Sequence, residues 1–75
     1  MLTDRIEIDP RVCGGKPVVH GSRIPVAVII EQLSTGETWD AILNGYPELT
    51  RQDIEAALRY ASRALEHPEY ELAEA

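Results

Sequence analysis

The sequence holds a single cysteine, Cys13, so no disulfide can close within the chain. That cysteine and the two histidines, His20 and His67, stand too far apart to match metal-ligand spacing, and no metal or other cofactor is expected. No apolar run approaches the roughly 18 residues that a membrane-spanning helix needs, so no membrane role is expected. The opening stretch Met1-Leu2-Thr3-Asp4-Arg5 lacks the basic-then-apolar order of a secretory signal. A lone cysteine without such a signal points to the cytoplasm. There is no internal repeat and no low-complexity tract. Basic residues are also scarce: 7 Lys and Arg stand against 13 Asp and Glu, for a formal net charge of −6. Such a field opposes DNA, whose binders usually present a basic patch.

The charge is unevenly spread. Residues 1–30 carry a slight basic excess, residues 31–63 an acidic excess, and residues 64–75 only glutamates. Any DNA-reading surface must therefore be local. At 75 residues the chain makes one domain, and chains of this size bury only about 60% of the surface they expose when unfolded. Small domains compensate with disulfides, metals or assembly. With the first two excluded, a homodimer or a complex with another protein is expected.

The chain then reads as strands followed by helices, with the domain over residues 1–68. Arg5-Ile6-Glu7-Ile8-Asp9 alternates polar and apolar, as a short strand does. Gly14-Gly15 permits a turn at positive φ. Pro17-Val18-Val19-His20 is a second β-prone run, closed by Gly21-Ser22. Together they predict a β-hairpin over about residues 5–21. Two strands this short are barely stable alone and could be completed from a second subunit.

Three helices are expected over about 25–35, 38–44 and 50–66. Pro25 suits the first helical position, and Val26, Ile29, Ile30 and Leu33 keep helical spacing up to the stop at Gly36. Thr38 reads as an N-cap, with Asp40 in the first turn, Trp39, Ile42 and Leu43 on the apolar side, and Gly45 as the stop. Thr50-Arg51-Gln52-Asp53 resembles a capping box with Asp in place of Glu. Ile54, Ala57, Leu58, Ala61 and Leu65 then define one apolar helix face, and Pro68 enforces the end. Residues 69–75 form an acidic, frayed tail, which either docks on a basic partner or merely solvates the end of the chain. The fold class is mostly α: a three-helix, helix-turn-helix unit with a short N-terminal β-hairpin.

The run Ile8-Asp9-Pro10 with Cys13-Gly14-Gly15-Lys16-Pro17-Val18-Val19-His20-Gly21-Ser22-Arg23-Ile24-Pro25-Val26 closely resembles the bacterial family known as domain of unknown function 433. So do Leu33-Ser34-Thr35-Gly36-Glu37-Thr38, Tyr46-Pro47-Glu48-Leu49-Thr50, Asp53-Ile54 and Ala56-Ala57-Leu58-Arg59-Tyr60-Ala61. The resemblance covers roughly residues 6–62. It implies a homeodomain-like helix-turn-helix fold. It further implies an antitoxin-like role, in which a cognate toxin nuclease of PIN type is bound and silenced, with possible binding of the operator DNA.

Two groups of residues carry the functional expectation. At the start of the third helix, Thr50, Arg51 and Gln52, with Arg59 further along, could read DNA, since Gln pairs with adenine and Arg with guanine. The alternative is a solvated face, with Glu55 and Arg59 as an i, i+4 pair and with Asp53 and Glu55 repelling phosphates. In the Gly- and Pro-rich loop, Lys16, His20 and Arg23 could face a partner or a phosphate. Equally, the loop could simply shape the turn into the first helix, with Arg23 paired to a carboxylate. No catalytic residue is expected: Cys13 and His20 have no third group and no oxyanion site. Nor is a small-molecule substrate expected. The DNA reading requires Arg51, Arg59, Arg63 and Lys16 to converge on one face. Carboxylates interspersed among them would favour a protein-interaction module of the same fold that does not bind DNA.

Overall fold

A computed structural model describes residues 1–66. The expected acidic tail, residues 69–75, lies outside the described residues. Four two-residue strands, β1 (Leu2–Thr3), β2 (Ile6–Glu7), β3 (Val18–Val19) and β4 (Ile24–Pro25), form an antiparallel meander in the order β1-β2-β3-β4. Three helices follow: α1 (Val26–Ser34), α2 (Trp39–Gly45) and α3 (Arg51–Glu66). The fold is thus mostly α, with a small N-terminal sheet.

The expected hairpin is the centre of that sheet, where Ile6 pairs with Val19 and Glu7 with Val18. Its flanks are filled by the chain's own β1 and β4 rather than by a second subunit. β1 joins β2 through a two-residue turn, Asp4-Arg5, with both residues at positive φ (47° and 68°). That is the hairpin turn whose twist matches the strands. It usually selects Asn-Gly, which is why Asp-Arg gave no turn signal. β4 displaces the expected helix start. Pro25 is extended (φ −64°, ψ 144°) and lies on the edge strand, where a missing N–H is tolerated, instead of opening α1. The N–H of Val26 donates to the Pro17 carbonyl at 2.9 Å, continuing the ladder into the first turn of α1.

Local signals set the helix ends. Gly36 (φ 93°) closes α1: its N–H donates to the Leu33 carbonyl and that of Glu37 to the Gln32 carbonyl, both at 3.1 Å. This is the Schellman pattern. Thr38 caps α2 by accepting from the Ala41 amide at 3.1 Å. Gly45 is the last residue of α2 and lacks a positive φ; Tyr46 caps the end through its amide on the Ile42 carbonyl.

The core lies between the sheet and the helices. Ile6, Ile29, Ile42 and Ile54 are fully buried, each contributing roughly 1.5–3 kcal/mol by leaving water. α1 packs on α2 and α3, and α3 also reaches β2. Trp39, Tyr46 and Tyr60 pack against this core while half-buried. The apolar face of α3 is turned from the expected one. Asp53, Ile54, Ala56 and Ala57 face inward, whereas Leu58 and Leu65 are 39% and 73% exposed. Among the described residues, Asp53 is the one polar residue on this inward face.

Candidate functional site

The start of α3 is held by a reciprocal cap. Asp53 Oδ2 accepts from the Thr50 amide at 2.9 Å, and Thr50 Oγ1 accepts from the Asp53 amide at 3.3 Å. The second oxygen of Asp53 accepts from Arg5 Nη1 at 3.1 Å. The neighbouring turn residue reaches α3 as well: Asp4 accepts from Arg59 Nε at 2.7 Å and from Arg59 Nη2 at 2.9 Å, with Arg63 at 3.9 Å. Because both turn residues sit at positive φ, the β1–β2 turn presents an acid and a base side by side to α3. The hydrogen bond from Arg59, aided by the charges of Arg59, Arg63 and Arg5, holds the Asp4 carboxyl below its ordinary range against a smaller desolvation cost. The same hydrogen bond raises the Arg59 guanidinium.

This geometry places the four residues expected to read DNA. Thr50 is engaged in the cap. Arg51 lies over the Trp39 ring, 5.0 Å from its centroid, and contacts Asp40 at 3.3 Å. Arg59 is bound through two nitrogens to Asp4. Gln52 is exposed and makes no side-chain hydrogen bond among the described residues. Arg51 and Arg63 are twelve residues apart on one helix, about 18 Å along its axis. The arginines of α3 are therefore each accompanied by a carboxylate.

The three loop residues flank β3. Lys16 lies just before β3. His20 lies just after it, with Nδ1 3.3 Å from Glu7 Oε1. Arg23 occupies the β3–β4 connection at φ 60°, its carbonyl accepting from Cys13 Sγ at 3.5 Å. Neither Lys16 nor Arg23 makes an ion pair among the described residues.

Sequence reasoning missed an open groove of about 1120 Å³ between α1, the second half of α3 and the sheet. Ile8, Val26, Ile30, Tyr60, Ala61 and Ala64 are among its apolar walls, and Lys16, Glu31 and Arg63 carry its charges. Met1 and Leu65, both strongly exposed, also line it. A hollow beside α1, lined by Val28, Glu31, Gln32 and Thr35, measures only about 100 Å³. The groove escaped notice because Leu65 was assigned to the core face of α3. The one available signal was Ala61-x-x-Ala64-Leu65, small residues beside a large one. Among the described residues, no three His, Cys, Asp or Glu side chains cluster to hold a metal ion. No helix there is long and apolar enough to cross a membrane.

Comparison with known proteins adds the family context. The family model described as "Protein of unknown function (DUF433)" matches residues 6–61, most of the chain. The uncharacterized protein y4eO of Sinorhizobium fredii is 35% identical over 52 residues, covering 69% of this chain and 24% of that protein. The chain thus spans about a quarter of the length of this curated relative. The crystal structure of a DUF433 member protein from Anabaena variabilis superposes with a TM-score of 0.79 at 34% identity, covering 93% of this chain and 69% of that one.

Proposed function

The chain belongs to the DUF433 family, and from that premise we propose that it is a small, non-catalytic, antitoxin-like binding protein of the cytoplasm that neutralises a PIN-type toxin nuclease by stoichiometric contact. The sequence resemblance supplies the toxin context. The observation that carries the choice of protein over nucleic acid is the state of α3. Its arginines are accompanied by Asp4 and Asp40, while the open surface beside it is apolar. Apolar concave surface on a small domain is what a protein partner buries. In this reading the domain works as a homodimer, which adds the buried core that so short a chain lacks.

Operator binding through Thr50, Arg51, Gln52 and Arg59 is the less favoured extension. It would require Arg59 to leave Asp4 and Arg51 to leave Asp40, in a chain of net charge −6. The test is co-expression with the adjacent reading frame, scoring growth and co-purification. The proposal expects the neighbour alone to arrest growth, and this chain to restore growth and elute with it. A harmless neighbour, or one that does not bind, refutes the toxin link. A gel-shift titration of the purified complex on promoter DNA, with Arg51→Ala beside the wild type, decides the DNA extension. Salt-sensitive binding that Arg51→Ala weakens would establish it.

A further inference from the structure

We infer that the groove between α1 and the second half of α3 is the surface on which a second copy of this chain docks. The inference rests on the reading of that groove as a protein-binding surface, and it names the occupant. The first argument is shape. The hollow is flanked by two protruding apolar side chains, Met1 at 74% and Leu65 at 73% exposure. A two-fold axis beside such a patch carries each projection toward the other copy's hollow, which is the self-complementarity an isologous interface needs. Ala61 and Ala64 keep the α3 wall low, so a facing helix can approach closely.

The second argument is charge. The lining carries both signs, Glu31 on α1 against Lys16 and Arg63. Glu31 and Lys16 share the groove, yet neither makes an ion pair among the described residues. The two-fold places Glu31 of one copy against Lys16 of the other. A groove shaped for a polyanion would carry one sign only. The third argument concerns the mode of contact. The neighbouring edge strand β4 is only two residues long and ends in Pro25, which has no N–H to offer an added strand. Strand addition is therefore blocked there, and docking proceeds through side-chain packing.

The experiment is sedimentation velocity with light scattering on the full chain, over rising protein concentration. The expected result is a species of twice the 8.3 kDa chain mass. Leu65→Glu, at a position outside the core, should raise the dimer Kd by at least about 30-fold, as loss of an interface anchor does, with helical circular dichroism unchanged. Glu31→Lys should weaken the dimer, and adding Lys16→Glu should restore it. A wild-type chain that stays monomeric at every concentration overturns the inference. So does a dimer indifferent to Leu65→Glu. A monomer that still rescues growth from its toxic neighbour would overturn this inference and the homodimer but leave toxin neutralisation standing, and a dimer that gives no rescue would overturn the toxin reading alone.

Discussion

Replacing Asp53 by alanine tests whether one buried carboxylate fixes the orientation of α3 and so the wall of the groove. Its side chain is 10% exposed and bonds the Thr50 amide at 2.9 Å and Arg5 at 3.1 Å. Asp53 is the reciprocal partner of the Thr50 cap, and losing it strands the part-buried Thr50 amide, which costs about 1.5 kcal/mol. The Arg5 contact adds only a few tenths, roughly, because the Arg5 side chain is 51% exposed and solvent screens it. The expected loss is therefore about 2 kcal/mol, or a Tm lowered by roughly 8–16 °C for a domain of this size. Asp53→Asn keeps an oxygen for the Thr50 amide and should lose about half as much. Urea titration followed by helical circular dichroism measures both, and Arg5→Ala completes a double-mutant cycle with Asp53→Ala. An Asp53→Ala protein within about 0.5 kcal/mol of the wild type would refute the reasoning, because ordinary surface changes fall in that range.

Three further outcomes follow from other parts of the fold. Ile29 is fully buried between the helices, so Ile29→Ala should lose about 2–5 kcal/mol in urea titration, and a near-neutral result would refute its central place in the core. The Asp4 carboxyl is depressed below 3.8, so in that acid interval the unfolded chain binds more protons than the folded one. Stability from this contact is full above 3.8 and lost as pH falls through the depressed value; Asp4→Asn should flatten the acid slope of Tm against pH, and an unchanged slope would count against the turn-to-helix contact. Arg23 holds φ 60° without a side-chain partner among the described residues, so Arg23→Gly should stabilise by up to about 1 kcal/mol in thermal melts, and destabilisation would show an unseen role for the arginine.

What the sequence by itself determined about this protein is its local grammar. The helical spacing of Val26, Ile29, Ile30 and Leu33 marked α1, Gly36 marked its end, and Thr38 and Thr50 marked the starts of α2 and α3. The alternation around Ile6 and the run at Val18-Val19 marked the central strands. The helix features rest on bonds between residues three to five apart and the strand signals on a two-residue alternation, so a short window contains each pattern. The family resemblance was equally legible, because a run of Gly, Pro and polar residues such as Gly15 to Val26 is specific without any knowledge of packing.

The candidate surface was decided only by the tertiary structure. A Leu at helical spacing reads the same whether it is covered or not, so Leu58 and Leu65 read as core and proved exposed, while Ala56 took an inward place. The Asp4–Arg59 and Arg5–Asp53 contacts join residues 55 and 48 apart, so the freedom of the α3 arginines depended on where a two-residue turn came to rest. The groove combines side chains from Met1 to Leu65 and exists only once sheet and helices meet. Caps and turns form through short-range bonding along the chain. Ion pairs and hollows depend on the path of the chain through space, which the core sets by excluding water from one face of each element.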